Sequence, residues 1–282
     1  MFIRNVNKTY NKNNVLNNIT FNIKNENIVG LVGKNGAGKT TLLKILNGNM
    51  PIYRGEVSGF NDKKIASIIE KPKLYENKTG RFNLTFFLKI QNQVIDWEFV
   101  EHLINDFQME NYINRKVNKY SMGMKQLLSL IIAMSQKPDL LILDEPTNGM
   151  DAKNTQKVLS QLTHISQKYN MVIIITSHKL EEIEQICERV LIMENGNLIK
   201  DINLKNKLYT KRISLWFLKK DLNDAIALIE SKHRLINTKD SYIECEIEED
   251  YYSLLKDLGM KNIYPLKTKE YSYSLKEQYL DS

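Results

Sequence analysis

The chain has 282 residues, a net charge of +7 and 42% hydrophobic residues, enough for one large domain and a smaller one around a sizeable core. Its longest apolar run, Leu127 to Met134, is far short of the ~18 residues of a membrane span, and Met1-Phe2-Ile3-Arg4-Asn5 does not begin a signal peptide. Cys187 and Cys245 lie far apart without metal-ligand spacing, which points to a reducing compartment, and the positive charge is spread along the chain rather than blocked into a nucleic-acid-binding run.

Residues 1 to 27 place Phe2, Ile3, Val6, Val15, Leu16, Ile19, Phe21 and Ile23 at a period close to two, between Asn-rich turns, and so predict short antiparallel strands. Tyr10 falls in the first turn, where the local sequence reads as an exposed tyrosine. The apolar run Ile28 to Val32 then leads into Gly33-Lys34-Asn35-Gly36-Ala37-Gly38-Lys39-Thr40-Thr41, and Leu42 to Leu46 reads as helix. Strand, glycine loop and helix with G-x-x-x-x-G-K-[ST] spacing make a phosphate-binding loop. Backbone N–H groups turn onto phosphate oxygens, and the start of the helix adds its positive dipole end. Lys39 is expected to reach the β- and γ-phosphates, and the Thr40 hydroxyl to ligate Mg²⁺.

Beyond the break at Gly48 to Pro51, Gly55 to Gly59 reads as a hairpin element, and Ile65 to Pro72 as a strand that ends in the carboxylate of Glu70. Thr79 to about Lys137 reads as helical, with Leu84, Phe87 and Leu88, then Phe99, Leu103 and Phe107, at spacings of three and four. Trp97 is expected in the core and His102 in the core or on the surface. Ser121 is placed to cap the helix that begins after it, where the free N–H groups suit a plain cap or an anion equally.

Leu140 to Leu143, ending in Asp144 and Glu145, predicts a buried parallel strand with acids at the edge where open α/β sheets place their chemistry. Asp144 would be the Mg²⁺-side carboxylate, and Glu145 could point at a water in line with the γ-phosphate. A helix from Asp151 to about Lys168, a strand from Met171 to Thr176 ending at Ser177-His178, a helix Leu180 to Cys187 and a strand Val190 to Met193 before the turn Asn195-Gly196 complete the alternation of a parallel sheet. After Leu204 come a strand Ile213 to Phe217, a helix Leu222 to Ile229, a hairpin across Arg234 to Ile247, a helix Asp250 to Leu258 and a strand near Ile263. This part reads as a small α+β appendage that carries no identifiable chemistry, with His233 on its surface.

The stretch Ser121-Met122-Gly123-Met124-Lys125-Gln126 gives the whole set a family resemblance. The phosphate loop resembles Walker A, this stretch the signature sequence, Leu140 to Glu145 Walker B, Asn148-Gly149-Met150-Asp151 the D-loop and His178 the switch histidine of ATP-binding cassette (ABC) transporter nucleotide-binding subunits, in family order over about residues 1 to 200. The resemblance implies an α/β P-loop NTPase with an N-terminal antiparallel β subdomain, a helical signature subdomain at about 72–138 and a cassette at 1–204, followed by the small α+β domain at 205–282. It also implies two cassettes closing head to tail on two ATP molecules with Mg²⁺. Ser121 and Gly123 of one copy would contact the γ-phosphate bound by the other, and Asp151 would signal across the dimer. Tyr10 would stack on adenine, Glu145 would act as general base or orient the water, and His178 would hold the γ-phosphate and the water. Glu70 would stand at the Q-loop position, near ATP and Mg²⁺.

A glutamate in place of the usual Q-loop glutamine, together with the Ser-Met-Gly-Met-Lys-Gln signature, is similar to the bacitracin-resistance and lantibiotic-immunity subfamily and to exporters of amphipathic peptides. The tail Ser274 to Leu280 resembles the common C-terminal end of such subunits. The implied protein is a cytoplasmic ATPase, peripheral on the inner face of the cell membrane. It would be joined to separate polytopic membrane subunits and to a second cassette, either a copy of itself or a paralogue, with no nucleic acid as partner. A soluble ABC ATPase not coupled to transport and an importer subunit are the alternatives. The first would carry two cassettes in one chain or a long inserted coiled coil, neither of which this sequence contains.

Overall fold

Apolar strands alternating with periodic helices build one unit over Met1–Ile202, and a second unit spans Asn203–Ser282. The computed structural model describes all residues except 25, 61–62, 71–72, 91–93, 205–210, 240, 248–250 and 272–282. The start of the expected helix at Asp250, the Lys71-Pro72 end of the expected strand and the tail Ser274 to Leu280 lie outside the described residues.

In the first unit β1 (Phe2–Tyr10), β2 (Asn13–Asn22), β3 (Ile28–Val32), α1 (Lys39–Leu46), β4 (Arg54–Ser58) and β5 (Ile65–Ile68) precede three helices, α2 (Gly80–Ile90), α3 (Trp97–Asp106) and α4 (Met122–Met134). Then follow β6 (Leu140–Asp144), α5 (Ala152–Tyr169), β7 (Val172–Thr176), α6 (Leu180–Ile186), β8 (Arg189–Glu194) and β9 (Asn197–Asn203). The first sheet is antiparallel in the order β2-β1-β4; the second has the order β5-β6-β7-β3-β8-β9 and is parallel from β5 to β8. Strands β3 and β6 are apolar on both faces because both faces are covered. The antiparallel sheet, α1 and the parallel sheet share one core, in which Ile3, Val6, Leu16 and Ile19 meet Leu31, Leu42, Leu43, Ile142 and Ile174.

Several elements differ from the sequence expectation for local physical reasons. Ile3 and Val6 are three apart yet both face inward, because the ladder slips between them and Asn5 takes a left-handed φ of 51°. The Asn5 N–H donates to Thr20 Oγ1 at 2.8 Å, which satisfies the group that the bulge frees. The helical run expected from Thr79 is broken. Past α3 the chain turns at Gln108 (φ 54°), and Met109, Ile113 and Tyr120 are buried from turns and Val117 from a short 3-10 helix, Val117–Lys119, rather than from one α-helical face. Trp97 is 40% exposed rather than core. It starts α3, and Phe99, two residues on and on a different face of the helix, takes the packing position, its ring 4.8 Å from Tyr169. Ser121 caps α4, its Oγ accepting from Met124 N at 3.2 Å. β8 and β9 are joined by Asn195 (φ 46°) and Gly196 (φ 78°), a left-handed pair that suits a two-residue hairpin turn.

The second unit runs β10 (Lys211–Trp216), α7 (Leu222–Glu230), β11 (Arg234–Lys239), β12 (Tyr242–Ile247), α8 (Tyr251–Met260) and β13 (Lys267–Tyr271). Its sheet order is β11-β12-β10-β13 with every neighbour antiparallel, the split β-α-β-β-α-β arrangement of ferredoxin-like folds. Ile213, Leu215, Phe217, Ile243 and Cys245 pack against Ala225, Ile229, Leu254 and Leu258 of its two helices. Ile263 is buried after α8 but is not in a strand; the last strand is β13, because Ile263 returns an N–H to Leu258 O at 3.0 Å and closes the helix instead.

Candidate functional site

The fully buried β3 delivers the chain to the glycine loop, and α1 begins at Lys39 with Gly38 as its N-terminal cap. Gly38 has φ 100° and ψ 0°, a conformation that L side chains avoid. The first-turn N–H groups of α1 have no intrahelical partner and lie at the mouth of a cleft of about 580 Å³. Asn35 to Thr41 line it, together with Val15, Glu70, Met122, Gln126, Asp144, Glu145 and Asn148. The Lys39 ammonium donates to Gly33 O at 2.6 Å and Lys34 O at 3.1 Å, within the loop itself. Burial lowers the Lys39 pKa, and the Glu145 and Asp144 charges oppose that shift.

β6 and β7 run in parallel register, so Asp144 stands beside Thr176. Asp144 accepts from Thr40 Oγ1 at 2.8 Å on one oxygen and from Thr176 Oγ1 at 2.6 Å on the other. Thr176 Oγ1 in turn accepts from Glu145 N at 2.9 Å. Glu145 sits at φ 49°, a left-handed conformation that is strained for a non-glycine residue and recurs at functional sites. Its carboxylate accepts from Asn148 Nδ2 at 3.2 Å and lies 3.6 Å from His178 Nδ1. The phosphate loop with Thr40, the Asp144-Glu145 pair and His178 therefore converge, although they come from three separate stretches of sequence.

Other expected site residues are placed differently. Glu70 lines the cleft at φ 70°, but its carboxylate bonds Lys44 of α1 at 2.5 Å rather than joining Thr40 and Asp144. The Lys44 hydrogen bond and charge hold the Glu70 carboxyl below its ordinary pKa. Among the described residues no three His, Cys, Asp or Glu side chains cluster as a metal site. Tyr10 ends β1, with its hydroxyl 3.0 Å from Met50 Sδ, and Val15 lines the cleft instead. Ser121, Gly123 and Asp151 line a second cleft of about 280 Å³ with Met150 and Asn154, away from the phosphate loop of the same chain. Asp151 caps α5, accepting from Asn154 N at 2.8 Å.

Sequence reasoning missed Val15, Thr176 and Lys44, and named Asn148 only as part of the D-loop. Thr176 could have been found from its place at the end of a strand parallel to the one that ends in Asp144. Lys44 leaves no such signal.

A family model described as ABC transporter matches residues 16–148. The chain is 32% identical over 233 residues to a bacitracin transport ATP-binding protein of Bacillus licheniformis, covering 79% of this chain and 76% of that one. It is 36% identical over 207 residues to a lantibiotic transport ATP-binding protein of Streptococcus pyogenes, covering 70% of this chain and 88% of the relative. A solved ATP-binding subunit of an ABC transporter matches with a TM-score of 0.64 at 27% identity, over 72% of this chain and 90% of that one. Relatedness over so much of the length, around a phosphate loop with strand-end acids beside it, leaves one conclusion: the chain belongs to the ATP-binding subunits of ABC transporters and is an ATPase.

Proposed function

We propose that this subunit powers export of, or immunity to, an antimicrobial or amphipathic peptide through separate polytopic membrane subunits at the cytoplasmic face of the membrane. Support for the substrate class comes from the two transport relatives and from the subfamily resemblance that the glutamate at position 70 carries, and support for separate membrane chains comes from the lack, among the described residues, of any helix long and apolar enough to cross a membrane. Bacterial cells lacking this chain are expected to become more susceptible to bacitracin or to a lantibiotic, and unchanged inhibitory concentrations for both would overturn the peptide assignment.

The observation that carries the chemistry is the bonding of Thr40 and Thr176 to the two oxygens of Asp144, with Glu145 next in the chain. A hydroxyl and a carboxylate meeting beside a phosphate cradle suit Mg²⁺, which binds through one or two carboxylates plus substrate phosphates. Thr40 and Asp144 would hold it. When bound, Mg²⁺ would supply neutralisation of the charge on the phosphates. The loop N–H groups and Lys39 would bind the β- and γ-phosphates, Glu145 would orient or deprotonate the attacking water, and His178 would hold the γ-phosphate and the water.

Ser121, Gly123 and Asp151 sit in a cleft of their own, which favours the reading that they serve the nucleotide of a second cassette. If so, each phosphate loop is half of a site and ATP binding is also an association reaction. Hydrolysis should then rise more steeply than linearly with protein concentration where the chain pairs with itself. A strictly linear rise in a proven monomer would overturn the sandwich.

A further inference from the structure

Glu182 on α6 has no place in the chemistry above, yet it is bonded to both segments that carry the reacting side chains. Glu182 is 6% exposed. One oxygen accepts from Thr147 Oγ1 at 2.6 Å and from Ser177 Oγ at 2.9 Å; the other accepts from Lys179 Nζ at 3.0 Å. Thr147 lies two residues after Glu145, and Ser177 and Lys179 flank His178. Thr147 and Ser177 are buried as well, and Ser177 Oγ accepts from Lys179 N at 3.0 Å.

Each hydroxyl has a single proton, and both protons are committed to Glu182. The register between β6 and β7 extends only to Asp144 and Thr176. Beyond it the two segments leave their strands, and the strained backbone at Glu145 has no ladder to hold it. Burial pushes the Glu182 pKa up, but the hydrogen bonds from Thr147, Lys179 and Ser177 and the Lys179 charge outweigh it and leave the pKa lowered. The group is thus a buried anion whose acceptor sites are filled from both sides, the condition under which a buried charge is kept rather than avoided.

The geometry points to Glu182 as a positioning residue that ties the Thr147 and Ser177 hydroxyls together and so sets the 3.6 Å approach of His178 to Glu145. The inference rests on the reading that Glu145 and His178 act at the γ-phosphate. It goes beyond that reading by assigning control of their spacing to a side chain that touches neither.

The test measures steady-state ATP hydrolysis together with ATP binding by calorimetry, for Glu182→Gln, Glu182→Ala, Thr147→Val/Ser177→Ala and the triple variant. Displacement of a reacting group by a fraction of an ångström predicts a loss in kcat of about tenfold to a hundredfold for Glu182→Ala. The ATP Kd should stay within about twofold, because the phosphate loop is untouched. Glu182→Gln keeps the size and one acceptor oxygen and should fall between Glu182→Ala and the wild type. The triple variant should be no slower than Thr147→Val/Ser177→Ala, since both remove the same tie. Should Glu182→Ala fail to fold, Thr147→Val and Glu182→Gln carry the test alone.

Wild-type kcat in the folded Glu182 variants, or equal losses in binding and turnover, would overturn the inference. Glu145→Gln measured alongside separates the two readings. Normal hydrolysis by Glu145→Gln would refute the catalytic assignment itself, whereas an inactive Glu145→Gln beside fully active Glu182 variants would refute only the positioning role.

Discussion

Glu145→Gln is expected to slow ATP hydrolysis by at least about a hundredfold, the usual loss on removing a positioned general base. ATP binding should survive, because the loop, Lys39, Thr40 and Asp144 are unchanged. Glutamine fits the same space and can still accept from Asn148 Nδ2, so the strained turn at Glu145 should persist. What is lost is the negative charge that, on the proposed mechanism, would face the attacking water. If two cassettes sandwich ATP, the variant should accumulate as an ATP-bound dimer on size exclusion. The check is phosphate release beside the elution profile, and unchanged phosphate release would remove Glu145 from the mechanism.

Gly38→Ala should be severely damaging to the phosphate loop. A Cβ at this position would lie 2.8 Å from Val15 O and 2.8 Å from Leu16 Cδ2, and the backbone already sits at φ 100°. Leu16 could rotate, but Val15 O belongs to the backbone of β2 and cannot withdraw cheaply. Strain and overlap together should cost about 3 kcal/mol of stability, within the range for a forced left-handed residue and an overpacked contact. Because Gly38 also opens α1, the N–H groups that face phosphate would tilt, and ATP affinity should fall at least about tenfold. Chemical denaturation and nucleotide titration test the two effects separately. A variant with the wild-type midpoint and wild-type affinity would contradict this account of the loop.

The parts of the site legible in the sequence are those whose chemistry is complete within a few residues. The phosphate loop is one, since glycines, lysine and threonine at fixed spacing between a strand and a helix have few other uses. The acids after Leu140 to Leu143 are another, because a continuous apolar run that ends in carboxylates defines its own edge. The cap at Ser121 belongs here too: it satisfies an N–H group three residues away. Trp97 was misread because a helical period identifies a face but not where that face runs out of neighbours.

Everything that joins distant segments was decided by the sheet. Thr176 meets Asp144 only because β6 and β7 are neighbours in register. Lys44 captures Glu70 only because α1 and the end of β5 come together, and Glu182, which meets the nearby Ser177 locally, reaches Thr147, 35 residues away, only through the fold. The order β11-β12-β10-β13 of the second unit is likewise absent from any local pattern.

The physical reason is one of range. Periodicity, capping and turn chemistry act through hydrogen bonds and side chains a few residues apart, so the sequence by itself determined the elements, the phosphate loop and the strand-end acids. Which strand lies beside which depends on the burial of the whole core, and the tertiary structure alone decided which side chains at those strand ends are bonded to one another.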